Sequence, residues 1–175
     1  MRRVSVIGAG TIGASWAAYF LARGYEVAGY DPAPNGEAFA RRFIDTAWPT
    51  LEKLNVVQAG ADRKRFEFFK YPAAATKDAE FIQESGPERE DLKIELFAAL
   101  DAALPPDVVI ATSSSGLLIS RVSVKCKHPE RCVIGHPFNP PHLIPLVEVV
   151  GGPKTSPEAI GKACLLYTSP SPRDS

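Results

Sequence analysis

Apolar residues in this chain come in short, β-branched runs separated by longer stretches of helical period. Residues 4–7, bounded by Gly8, are the first such run, and a fully apolar segment of this length predicts a buried parallel strand. From residue 12 to 23, alanines with Trp16, Phe20 and Leu21 recur at helical spacing up to Gly24, which predicts a helix with a glycine stop. Residues 26–30 predict a second strand, closed by Asp31-Pro32. Helical period returns over 36–54, with Phe39, Phe43, Ile44, Trp48 and Leu51 forming most of one face and Pro49 predicting a bend or interruption. Strands are also predicted at 65–69, 81–84, 108–112, 132–135 and 146–150. Between them, 88–104 predicts a helix whose apolar side is Leu92, Leu96, Ala99 and Ala103. Alternating strands and helices predict an α/β fold built on a doubly wound, mostly parallel sheet.

Composition narrows the picture. With 175 residues, 45% hydrophobic and 23% charged, the chain suits one domain with a sizeable core, with room for a fragment of a second. Twenty basic and twenty acidic residues cancel and form no basic stripe, so neither nucleic acid nor a membrane surface is an expected partner. Arg2 and Arg3 precede an uncharged run over 4–22 that has the look of an export signal, but Gly8, Gly10 and Gly13 break it and its first half reads as a strand. Cys126, Cys132 and Cys164 follow no zinc or CxxC spacing, so no metal site is expected and a reducing, cytoplasmic setting is. Residues 164–175 differ from the rest: they hold two Ser-Pro steps and no apolar period. They resemble the translated adapter tail of some assembled reading frames, a natural disordered terminus being the alternative. The expectation is a domain over 1–163, whose last helix opens near Pro157-Glu158 and stops, followed by a non-native tail over 164–175.

Gly8-Ala9-Gly10-Thr11-Ile12-Gly13 has the spacing G-x-G-x-x-G and lies directly between a predicted strand and a predicted helix. That context makes it a phosphate-cradling, Rossmann-type loop: Gly8 for the tight turn, Gly10 for close approach of a pyrophosphate, Gly13 for helix-to-strand packing, with Thr11 and Ile12 opening the helix. The amides at the helix start and their partial positive charge complete an anion site. Asp31 closes the second strand 31 − 13 = 18 residues beyond the last glycine, where a carboxylate accepts the adenosine ribose hydroxyls and repels a 2′-phosphate. The expected cofactor is NAD rather than NADP.

His136 ends one predicted strand, and Glu148 sits inside Leu146-Val147-Glu148-Val149-Val150. Ligands of open parallel sheets bind outside the carboxyl ends of the strands. A carboxylate among valines needs a partner, and a histidine held by a carboxylate suits the removal of a hydroxyl proton while hydride leaves for a nicotinamide. Two other readings stay open: a histidine before proline is often a turn residue, and Glu148 on an edge strand can face solvent.

The segments Gly8 to Gly13, Phe81 to Phe97, Ser113 to Leu117, and His136-Pro137-Phe138-Asn139-Pro140 with Leu146-Val147-Glu148-Val149 together resemble the 3-hydroxyacyl-CoA dehydrogenase superfamily. The resemblance covers nearly all of residues 3 to 162. It implies that His136 is the catalytic base and Glu148, 148 − 136 = 12 residues on, its orienting partner. It implies that Ser115, 136 − 115 = 21 residues upstream, hydrogen-bonds the substrate oxygen, with Ser113 and Ser114 as alternatives. It also places Glu84 beside the nicotinamide ribose, against the alternative of a helix-entry acid. Asp31-Pro-Ala-Pro34, Ala47-Trp-Pro49 and Gly135-His-Pro-Phe-Asn-Pro140 are similar to the L-carnitine dehydrogenase and lambda-crystallin (L-gulonate 3-dehydrogenase) branch, which acts on free 3-hydroxy acids. The resemblance therefore implies NAD-dependent oxidation of a 3-hydroxyl, L-carnitine favoured. An acyl-CoA substrate of fatty acid metabolism and a non-catalytic, crystallin-like role are the alternatives. Complete members continue into a helical domain that closes the pocket, supplies an asparagine and forms a homodimer. This chain is expected to lack it and to be inactive alone.

Overall fold

A computed structural model describes residues 2–168. The elements follow in chain order as β1 (Arg3–Ile7), α1 (Thr11–Ala22), β2 (Glu26–Tyr30), α2 (Gly36–Lys53), β3 (Phe66–Phe69), α3 (Pro72–Ala75), β4 (Phe81–Glu84), α4 (Glu90–Ala103), β5 (Val109–Thr112), α5 (Ile119–Val122), β6 (Cys132–Pro137), β7 (Val147–Val150) and α6 (Pro157–Thr168). One seven-stranded sheet has the order β3-β2-β1-β4-β5-β6-β7. Every neighbouring pair is parallel except β6 with β7. The sheet is the doubly wound, mostly parallel one that the alternation predicts.

Side chains of a strand alternate between faces, and the two faces carry two cores. Val4, Val6, Val27, Phe81, Val109, Ala111 and Val133 point to the side covered by α1, α2 and α6. Ile7, Ala28, Ile82, Ile110 and Cys132 point to the side covered by α3, α4 and α5. Residues 26–30 and 81–84 are found at their predicted bounds, with Val27 and Phe81 in the first core and Ala28 and Ile82 in the second.

Three expectations are corrected. The helix α2 continues through Pro49 instead of breaking. The carbonyl that loses its amide partner belongs to Asp45, on the exposed side of the helix. The inward face of α4 is not Leu92, Leu96, Ala99 and Ala103; it is Lys93, Phe97, Leu100 and Asp101, with Leu92 45% exposed. The helix turns this way because each inward charge meets a buried partner. Lys93 Nζ lies 2.7 Å from both Glu84 carboxylate oxygens. Asp101 takes two bonds from the Arg131 guanidinium, at 3.0 and 2.7 Å. Burial works against the Asp101 charge, but Arg131 and the amides of Lys127 and His128 outweigh it and hold the carboxyl below its ordinary value. Third, α6 does not stop at residue 163. It runs to Thr168, with Leu166 and Tyr167 buried in the first core. Tyr167 closes over Gly135 and donates to Gln83 Oε1 at 2.6 Å. The remainder of the expected tail, residues 169–175, lies outside the described residues. Among the described residues no helix is long and apolar enough to cross a membrane.

Candidate active site

All six parallel strands present their carboxyl ends at one edge of the sheet, and the order reverses between β1 and β4. The glycine loop sits at that point. Gly8 has φ +90°, a left-handed conformation that a side chain would strain. A Cβ on Gly13 would lie 1.8 Å from the Gly8 carbonyl oxygen, so only glycine lets α1 start this close to β1. The space over Gly10 is open, with nothing within 4 Å of a Cβ built there. Gly10 caps α1 without a side-chain bond, so the first-turn amides, from Thr11 and Ile12 to Gly13, lack acceptors within the helix. An open floor under unclaimed donors fits a pyrophosphate. Asp31 pins the loop from the end of β2: its Oδ2 accepts the Ala9 amide at 2.8 Å and its Oδ1 the Ala33 amide at 2.8 Å. Each oxygen keeps a second lone pair for a ribose hydroxyl.

The structure gives Glu84 a different place from the one the resemblance implies. Its side chain is fully buried. Oε1 accepts Lys93 and the Gly86 amide, and Oε2 accepts Lys93 and the Thr112 hydroxyl. Four bonds leave neither lone pair nor surface for a ribose. Glu84 instead ties β4, α4 and β5 together beneath the crevice.

Glu88, outside any helix, takes up the loop after β5. Its Oε1 accepts the Ser114 hydroxyl at 2.5 Å and the amides of Ser115 and Gly116 at 3.1 and 2.9 Å. Burial again opposes the charge, but Ser114, the Gly116 amide, Lys93 and the Ser115 amide outweigh it, and the carboxyl lies below its ordinary value. This loop sorts the three serines. The Ser113 hydroxyl is engaged by Trp16, Gln83 and Ser85. Ser114 is engaged by Glu88 and the Leu117 amide. Ser115 is exposed, and its hydroxyl belongs to neither network.

Further along the edge, His136 and Glu148 stand directly opposite each other on β6 and β7. His136 Nδ1 lies 2.9 Å from Glu148 Oε2. The expected valine burial of Glu148 is corrected: Val147 and Val149 pack against the core, while the carboxylate points the other way and is 58% exposed. The pair forms all the same, because directly opposed residues on antiparallel strands share a face. A carboxylate accepting from Nδ1–H leaves the Nε2 lone pair free to take a proton.

Sequence reasoning passed over His142. It sits in the β6–β7 loop, its amide donating to Ser15 Oγ at 3.1 Å and its Nδ1 2.6 Å from the same oxygen. Burial holds the imidazole below its ordinary range, which favours the neutral ring. No periodic signal marks a lone histidine after two prolines, nor a serine in an alanine-rich helix. Folded His142 binds fewer protons than unfolded His142, so its contribution to stability is complete above about pH 6.5 and declines as pH falls below that. The melting temperature lost on acidification from about pH 7 to about pH 5.5 is therefore expected to be smaller in His142→Asn than in the unaltered chain. Equal losses contradict the assignment.

Residues 3–170 match the family described as 3-hydroxyacyl-CoA dehydrogenase, NAD binding domain. L-carnitine dehydrogenase of Streptomyces coelicolor is 52% identical over 95% of this chain and 52% of its own length. L-carnitine dehydrogenase of a Pseudomonas species is 49% identical over 96% of this chain and 52% of its own. The chain thus spans about half the length of the curated relatives it matches. Among solved structures, 3-hydroxybutyryl-CoA dehydrogenase of Escherichia coli is similar with a TM-score of 0.86 and 31% identity, over 95% of this chain and 36% of that one. An NAD+-dependent 5-formyl-3-hydroxy-2-methylpyridine 4-carboxylic acid 5-dehydrogenase is similar with a TM-score of 0.89 and 30% identity, over 95% of this chain and 54% of that one. The dinucleotide that the glycine loop and Asp31 fit is therefore NAD, and the chain belongs to the 3-hydroxyacyl-CoA dehydrogenase family, whose NAD-binding domain it carries.

Proposed function

We propose that the protein to which this chain belongs oxidises the 3-hydroxyl of a free 3-hydroxy acid, L-carnitine first among them. The observation that carries the reading is the 2.9 Å contact of His136 Nδ1 with Glu148 at the carboxyl edge of the sheet. NAD, when bound, supplies the hydride acceptor. Glu148 holds the imidazole in one tautomer, and His136 takes the hydroxyl proton at Nε2. Ser115 donates to the substrate oxygen. Gly8, Gly10, Thr11, Ile12, Gly13 and Asp31 hold the dinucleotide.

The carnitine preference is supported by relatives at 49% and 52% identity named for that activity, against 31% for the 3-hydroxybutyryl-CoA enzyme. A trimethylammonium group needs aromatic or acidic contacts, which we place in the half of the protein outside this chain, together with the homodimer contact. His136 is 27% and Glu148 58% exposed here, an edge open to water. The 175-residue chain is accordingly expected to bind NAD and turn over little. Free cysteines at 126, 132 and 164 suit the reducing cytoplasm. The test is NADH formation by the full-length protein with L-carnitine, other 3-hydroxy acids and 3-hydroxybutyryl-CoA in parallel. A higher kcat/KM for L-carnitine is the expected result; turnover of the thioester alone contradicts it.

A further inference from the structure

The networks above leave one donor unassigned at the point where the dinucleotide must cross. Ser113 Oγ has three neighbours. Trp16 Nε1, which can only donate, lies at 3.1 Å, and the Gln83 amide nitrogen, whose oxygen is held by Tyr167, lies at 2.9 Å. These two fill both lone pairs of the hydroxyl, so its single proton goes to the third neighbour, Ser85 Oγ, at 2.8 Å. Ser85 is then an acceptor toward the protein interior, and its own proton must point elsewhere. No described hydrogen bond takes it.

The residue stands at the switch point itself. Its amide donates to the Ile7 carbonyl at 2.8 Å, the last residue of β1. A Cβ on Gly8 would lie 2.9 Å from the Ser85 carbonyl oxygen, so the glycine loop and residue 85 are in direct contact. Ser85 is half-buried, on the β4 side of the loop. Asp31 marks the β2 side, which takes adenosine, so the β4 side takes the other half of the dinucleotide.

We propose that Ser85 is a cofactor-binding residue whose hydroxyl, oriented by the Trp16–Gln83–Ser113 network, donates a hydrogen bond to the nicotinamide-side ribose of NAD. It fills the place that Glu84, saturated beneath it, leaves open. The inference rests on the NAD-binding reading of the crevice.

Calorimetric titration of the 175-residue chain with NAD, ADP-ribose and AMP tests it. In Ser85→Ala the affinities for NAD and ADP-ribose are expected to fall about three- to tenfold, the worth of one neutral hydrogen bond, while AMP binds as before. Ser85→Cys keeps the volume with a weak donor and is expected to behave likewise, which guards against a variant that fails to fold. Asp31→Ala is expected to weaken AMP and NAD alike. Unchanged NAD affinity in both Ser85 variants overturns the proposal and leaves the NAD reading intact. So does an equal loss of AMP, which marks a disturbed loop. An unaltered chain that binds neither NAD nor AMP removes the reading beneath it, and the proposal with it.

Discussion

Replacing His136 with glutamine in the full-length protein is expected to lower kcat by about 10²- to 10⁴-fold, the usual contribution of a general base, with little change in NAD affinity. Glutamine keeps much of the shape of the imidazole and has no lone pair basic enough to take the hydroxyl proton. Its distance from the glycine loop explains the split: Gly8 to Gly13 and Asp31 lie on the β1 and β2 side, while His136 stands at the end of β6. Glu148→Gln is expected to fall less far, because the imidazole remains while its tautomer is no longer held. Steady-state kinetics with a separate NAD titration separates these outcomes. Wild-type turnover in His136→Gln, or an equal loss of NAD binding, contradicts the assignment.

Lys93→Met is expected to cost the domain about 3–5 kcal/mol, the penalty for leaving one partner of a buried pair alone. Lys93 and Glu84 are 2% and 0% exposed, so water cannot replace the missing ammonium. The damage falls on the site as well, because the same carboxylate holds Thr112 and the Gly86 amide, the residues on either side of the crevice floor. Adding Glu84→Gln removes the stranded charge and keeps a side chain able to bond Thr112, so the double variant is expected to regain part of the loss. Urea unfolding of the 175-residue chain reads both. Additive losses in the double variant contradict the pairing.

Which features were legible in the sequence follows from which forces leave a local trace. Buried parallel strands did, because successive apolar residues face both cores, Val27 and Phe81 on one side and Ala28 and Ile82 on the other. The glycine loop did, because its spacing is set by backbone contact between Gly8 and Gly13 rather than by distant partners. The inward face of α4 did not. Lys93 and Asp101 belong inside only because Glu84 and Arg131 meet them from 9 and 30 residues away, and periodicity sees no partner. The same blindness made Glu84 a ribose ligand by resemblance when its lone pairs are spent on Lys93, Gly86 and Thr112. A motif pairs His136 with Glu148, yet the reason they meet is their direct opposition across β6 and β7, which the intervening loop over 138–146 does not announce. The end of α6 is hidden for a related reason: composition at 164–168 looks unstructured, while Leu166 is buried in the first core and Tyr167 packs against Trp16 and Phe81 far upstream.

The most direct test of the whole account is a crystal structure of this chain with NAD bound. The pyrophosphate is expected on the amides of the glycine loop, the adenosine ribose on Asp31, and the nicotinamide on the β4–β6 side with its reactive carbon turned toward His136 Nε2. A pyrophosphate seated away from Gly10, or an imidazole turned from the nicotinamide with its Glu148 contact broken, contradicts it.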